Sequence, residues 1–224
     1  MNNIIYRIKH INKWIIDAIL PQVCLGCKTR GESICDSCFL KIRRTERETS
    51  SDINACFDYR DPLIKKAIWD LKYHGYFSIG YKLGQLLYEE FLENITEIRM
   101  YSEGRPICII PVPLHISRQK ERGYNQAKII ASGFCNSEGK EIFELKNDII
   151  IKQINTLQQA KITNRNKRLK NMNGAFKIIN PEKIKGRTII LIDDVTTTGG
   201  TLMEIIKILK KSGAKKVIGL AVAH

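Results

Sequence analysis

Residues 189–201, Ile-Ile-Leu-Ile-Asp-Asp-Val-Thr-Thr-Thr-Gly-Gly-Thr, restrict the architecture more than any other part of the chain. Four apolar residues open the stretch and three of them are β-branched, which predicts a short strand buried on both faces. Two carboxylates, Asp193 and Asp194, fall where that strand ends. A Thr/Gly run follows, and apolar residues then recur at helical spacing over 202–211, up to a stop at Ser212 and Gly213. The expected fold class is therefore α/β with a mostly parallel sheet.

The order strand, acidic pair, Gly/Thr loop, helix N-terminus suits a phosphorylated sugar. Backbone N–H groups at a helix start lack intrahelical partners and carry partial positive charge. Gly199 and Gly200 let that backbone approach a phosphate, and the hydroxyls of Thr197, Thr198 and Thr201 can donate to its oxygens. Asp193 and Asp194 point to opposite sides of an extended chain, so at least one can reach ribose hydroxyls or a magnesium ion carried by a diphosphate. An ordinary buried strand with an acidic edge and a turn is the plainer alternative. A P-loop is excluded, because no Lys follows the glycines. The stretch resembles the 5-phosphoribosyl-1-diphosphate (PRPP) signature of type I phosphoribosyltransferases. That resemblance implies acidic residues facing the ribose and a loop of Val195, Thr196, Thr197, Thr198, Gly199, Gly200 and Thr201 around the 5-phosphate.

At 224 residues and 43% apolar, the chain has the length and apolar content for one domain with a real core and a small appendage. No apolar run reaches the roughly 18 residues of a transmembrane helix. The start lacks the continuous apolar segment and cleavage site of a signal peptide, so a cytoplasmic location is expected. The net charge of +14 favours polyanionic partners, namely a nucleic-acid backbone, a diphosphate or an acidic membrane surface. The richness in Lys, Ile and Asn also fits drift in an AT-rich genome.

Residues 1–20 space Ile4, Ile8, Ile11, Ile15 and Ile19 as an amphipathic helix, docked on the protein itself or lying on a partner or at the inner membrane surface. Pro21 ends it. Cys24-x-x-Cys27 and Cys35-x-x-Cys38 then supply four thiolates at the spacing of a structural zinc ribbon, placed at 21–45. Disulfides are disfavoured in a cytosolic chain. Residues 41–52 read as an exposed charged linker to a domain at 53–224. There a strand is expected around 55–59, helices over 63–72 and from 79 to about 93, and strands at 107–113, 148–151 and 217–222.

Pro111, Val112 and Pro113 turn the chain out of the sheet and build a rigid loop, after which Arg118 and Arg122 offer cationic forks to a diphosphate. The next helix runs from Gln126 to about Phe134. Segment 156–171 is long, polar and basic, with Thr156, Gln159 and Arg168 in it, and such loops are usually functional or mobile.

Together the four Cys, Lys72-Tyr73-His74-Gly75, the 110–126 stretch and the 189–201 signature resemble the ComF family over nearly the whole chain. The resemblance implies a zinc ribbon ahead of a type I phosphoribosyltransferase domain, with structural Zn2+, and Mg2+ bound with PRPP. It implies a diphosphate loop at 111–122, with Gln126 beside it, and a closing loop at 156–171. Lys152 departs from the family's usual Arg, turning a fork into a point charge, and Gly200 replaces the usual Ala. The family is implicated in natural transformation, which implies single-stranded DNA and a DNA-translocating competence helicase as partners. Three readings follow: a PRPP-binding protein of DNA uptake, a phosphoribosyltransferase acting on an unidentified acceptor, and a ribbon-borne docking protein. In the enzymatic reading Asp193, Asp194, Arg118 and Arg122 are the catalytic groups.

Overall fold

A computed structural model describes residues 22–46, 52–138, 141–153 and 174–224. The helix expected at 1–20, and Thr156, Gln159 and Arg168, lie outside the described residues.

The centre is a five-stranded sheet in the order β1-β7-β6-β2-β3, made of β1 Ile53–Phe57, β2 Ile107–Pro111, β3 Phe143–Leu145, β6 Thr188–Val195 and β7 Lys216–Ala223. Every pairing in it is parallel. A separate antiparallel hairpin pairs β4 Ile150–Lys152 with β5 Phe176–Ile178. The helices are α1 Asp36–Phe39, α2 Pro62–Trp69, α3 Phe77–Met100, α4 Ile116–Arg122, α5 Gln126–Cys135 and α6 Gly200–Lys211, with a π-helical turn at Asp70–His74 between α2 and α3. The parallel α/β class is the one expected.

The sheet separates two apolar layers by the period-two alternation of its strands. Ile107, Ile109, Ile190, Ile192, Leu220 and Val222 face α2, α3 and α5. Cys108, Ile110, Ile189, Leu191, Val217 and Ala221 face the buried side of α6, formed by Leu202, Ile205, Ile206 and Leu209, and the hairpin. Long parallel strands covered on both sides explain why 189–192 is a continuous apolar run. Helix α3 crosses α5 at small residues: a Cβ on Gly84 would lie 2.0 Å from the Ile130 carbonyl oxygen, and one on Gly133 would lie 2.0 Å from the Tyr81 carbonyl oxygen.

Several local expectations change. Helix α3 runs to Met100 and not to about residue 93, because Ile95 and Ile98 extend the buried face of Phe91 at spacings of four and three. The 63–72 helix breaks into α2, N-capped by Asp61 through Leu63 and Ile64 N–H groups, and the π-helical turn. The stretch beyond Pro113 contains α4 and is not all loop. Residues 41–46 are not an exposed linker: Ile42 is buried, and Arg44 pairs with Glu90 while lying over Phe39 and Phe57. Ile34, Phe39 and Ile42 share one core with the helices of the main sheet.

Candidate functional site

Strands β2 and β6 lie side by side with Pro111 opposite Ile192, so the chain leaves both at the same edge of the sheet. Two hydrogen bonds hold the departing loop. Val112 N–H donates to the Ile192 carbonyl at 2.8 Å, and Asn125 Nδ2 donates to the Val112 carbonyl at 2.9 Å. Asn125 also caps α5 by accepting from Ala127 N–H. Pro111 closes β2 itself, and Val112 is buried. A cleft of about 500 Å³, lined by Pro111, Pro113, Gln119, Asn125 and Lys152 among others, opens beside this edge. A larger cavity of about 610 Å³ lies between the ribbon and α3, lined by Glu32, Tyr81 and Lys82, and contains none of the predicted site residues.

The acidic pair ends β6 as expected, with Asp194 buried and Asp193 half-buried. Asp194 Oδ2 stands 2.9 Å from Lys72 Nζ, although that nitrogen is poorly aligned for a hydrogen bond and the oxygen has no hydrogen-bond partner among the described residues. The opposing charge is what permits a buried carboxylate here. Asp193 has no such ion pair among the described residues: burial, reinforced by the charge of Asp194, pushes its carboxyl up to about 8, against partial relief from the Asp194 N–H, Lys72 and Lys152. Lys152, at the end of β4, is in turn pulled below the ordinary lysine range by burial, offset by Asp193 and Glu204. Arg118 also acts on Lys152, so the strand end, the hairpin and α4 share one electrostatic neighbourhood.

Beyond Val195 the loop tightens. Thr196 is buried and donates its N–H to the Ala223 carbonyl at 2.9 Å, while Thr197 and Thr198 are exposed. Gly199 takes φ +73°, a left-handed conformation that glycine adopts without steric cost, and caps α6 with no side-chain oxygen. The first N–H groups of a twelve-residue helix, starting at Gly200 and Thr201, are therefore left without a side-chain cap beside two exposed hydroxyls. Glu204, one turn into α6, ties the helix to the hairpin by accepting from Ala175 N–H at 3.1 Å.

Arg122 ends α4, donates to Gln126 Oε1 at 2.9 Å, and lies 5.5 Å from the Tyr73 ring centroid. Gln126 is itself buried. The structure thus gathers the 111–126 and 193–201 loops at one edge and adds Lys72, which sequence reasoning had no means to pair with Asp194. The only linear trace of that contact is the Lys72-Tyr73-His74-Gly75 run.

In the N-terminal segment, the Sγ atoms of Cys24, Cys27, Cys35 and Cys38 all lie within 4.8 Å of one another. A tetrahedral zinc–thiolate site, with bonds near 2.3 Å, needs sulfurs about 3.8 Å apart, so the cluster has the right size. A Cβ on Gly26 would come 2.7 Å from Cys38 Sγ, which explains glycine in that knuckle. Hydrogen bonds from the Thr29 side chain and backbone hold the Cys27 thiol at about 6, while burial and the neighbouring sulfurs push Cys38 up to about 12. Thiols this close resist ionising together without a shared cation, so the donor set fits a metal ion such as zinc.

Residues 122–224 match the family described as phosphoribosyl transferase domain. Competence protein F of Haemophilus influenzae is 30% identical over 207 residues, covering 87% of each chain. DNA utilization protein YhgH of Escherichia coli (strain K12) is 30% identical over 161 residues, covering 71% of this chain and 66% of that protein. Competence protein ComFC of Bacillus subtilis (strain 168) is 24% identical over 194 residues, covering 85% of this chain and 67% of that protein. On this likeness along most of its length, with the transferase domain over its C-terminal half and a cysteine cluster before it, the chain belongs to the ComF family of phosphoribosyltransferase-like proteins.

Proposed function

We propose that the protein binds PRPP with magnesium at the shared edge of β2 and β6 and acts in the uptake or handling of single-stranded DNA during natural transformation. The observation that carries the ligand reading is the juxtaposition at the end of β6: a carboxylate pair followed, across the loop 195–199, by a helix N-terminus that no side chain caps. In this reading the 5-phosphate takes the N–H groups at Gly200 and Thr201 and the hydroxyls of Thr197, Thr198 and Thr201. Asp193 and Asp194 face the ribose. Arg118 and Arg122 stand on the diphosphate side, with Gln126 fixing the Arg122 guanidinium.

Magnesium supplies charge neutralisation for the diphosphate and would be held mainly by the ligand's own oxygens, with Asp193 and Asp194 as the nearest carboxylates. The raised Asp193 carboxyl supports such a cation, since a half-buried acid whose carboxyl group is shielded from water is relieved when positive charge arrives. If a phosphoribosyl group is transferred, the bond from C1 to the diphosphate oxygen breaks with its electron pair leaving on the diphosphate. Asp194, and Asp193 in its ionised form, then stabilise the positive charge left on the ribose. Zinc on Cys24, Cys27, Cys35 and Cys38 has a structural part in this reading, because four thiolates close its coordination shell. The DNA half of the reading rests on the names of the relatives, one for competence and one for DNA utilization, and on the charge of +14.

Calorimetric titration of PRPP with magnesium tests the ligand reading, with Asp193→Asn/Asp194→Asn as the control variant. Heat of binding in the wild type that the variant loses, with the variant's melting transition intact, is expected. Equal binding by both proteins would move the ligand away from the acidic pair.

A further inference from the structure

The π-helical turn and its flanks leave a row of rings in water. Trp69 is 50% exposed, Tyr73 57% and Tyr76 41%. The rings form a chain through His74: centroids are 5.3 Å apart for Trp69–Tyr73, 4.7 Å for Trp69–His74 and 5.7 Å for His74–Tyr76. The row is held firmly from below. Buried Asp70 accepts from Lys66 Nζ at 3.0 Å and engages His74 Nδ1 at 3.0 Å, and the Tyr124 hydroxyl donates to the Leu71 carbonyl. Gly75 then ends the turn in a left-handed conformation. A π-helical turn is an uncommon geometry that recurs at functional sites.

Cations border the rings. Lys65 and Lys66 are exposed, and the Arg122 guanidinium lies over Tyr73. Among the described residues, the exposed large apolar residues of 62–77 are all aromatic, with no exposed aliphatic patch of the kind that receives an amphipathic helix. Rings edged by positive charge match a flexible polyanion that carries flat bases. The row also borders the edge of β2 and β6, since Lys72 reaches Asp194 from the same turn and Arg122 belongs to both places.

We propose that Trp69, Tyr73 and Tyr76 form a stacking platform for the bases of single-stranded DNA, with Lys65, Lys66 and Arg122 along its phosphates. The inference rests on the reading of the chain as a handler of single-stranded DNA and assigns that role a surface, beside the ribose-phosphate edge and sharing Arg122 with it.

The chain has two tryptophans, so a Trp14→Phe background makes Trp69 the sole reporter. A labelled oligothymidylate and an abasic strand of equal length are titrated into the full chain, reading anisotropy and Trp69 fluorescence. The oligothymidylate is expected to quench Trp69 and to bind more tightly than the abasic strand. Trp69→Ala and Tyr73→Ala, both in exposed positions, are each expected to weaken it about ten-fold, while Trp69→Phe retains most of the affinity. Oligothymidylate binding that the alanine variants leave unchanged, or that the abasic strand equals, overturns the platform and keeps the DNA-handling reading. No binding of either strand overturns both. PRPP titration is read separately, so failure of the ligand site is not confused with either result.

Discussion

Asp193 is uncharged over much of the physiological range while its unfolded counterpart is ionised, and this sets a direction for stability against pH. Its carboxyl moves from 3.8 to about 8 on folding, so between those values the folded chain holds the extra proton. Stability contributed by this group is therefore lost as pH rises from 3.8 towards about 8, and the loss is complete above that. An Asp193→Asn variant escapes the effect. Its melting temperature is expected to match the wild type near the acid end of that window and to exceed it increasingly towards the alkaline end, as read by melts across the series. A difference of the opposite sign would mean that Lys72 and Lys152 outweigh burial. Along the sequence Asp193 and Asp194 look alike. What separates them is Lys72, brought by the fold to 2.9 Å from one and not the other. Such a contact spans most of the domain and has no local signature. The exposed rings were illegible for a related reason: few aromatics interleave with the basic residues along the chain, so the sequence shows no stacking platform, and Trp69, Tyr73 and Tyr76 become a row only through the π-helical turn.

At the scale of elements, the crossing of α3 on α5 depends on two missing side chains. With carbonyl oxygens 2.0 Å from where a Cβ would stand, neither Gly84 nor Gly133 admits even alanine without moving a backbone. Gly84→Ala or Gly133→Ala is expected to cost about 3 kcal/mol and to lower the melting temperature by roughly 6–12 °C, measured by circular dichroism. An unchanged melt would show that the helices slide apart freely. The elements nearest the predicted ligand were the most legible, because β6, its acidic end and the Gly/Thr loop into α6 are contiguous and each obeys a local rule. Those that depended on distant partners were not. Helix α3 overran its expected end because Ile95 and Ile98 continue its buried face into the shared core, and β3 acquires its identity only by pairing with β2.

Over the whole molecule, the ribbon is no loose appendage, since Ile34, Phe39 and Ile42 pack in the same core as α2, α3 and β7. Removing metal should therefore unsettle more than the four cysteines. Chelation is expected to lower the single calorimetric transition of the entire chain, and Cys24→Ser/Cys27→Ser to do the same without chelator. A separate early transition with the main one unmoved would make the ribbon an independent unit. The sheet order has a different outcome, during synthesis. Strand β1 has β7 as its one neighbour in the sheet, and Phe57 pairs with Ala223. A ribosome therefore releases β1 long before β7 exists, and until then its strand pairing is limited to the 43–45 segment, where Thr45 N–H donates to the Cys56 carbonyl at 3.0 Å. The same strand that closes the sheet last also receives the Thr196 amide, so the ligand loop gains that anchor only when the final strand is in place.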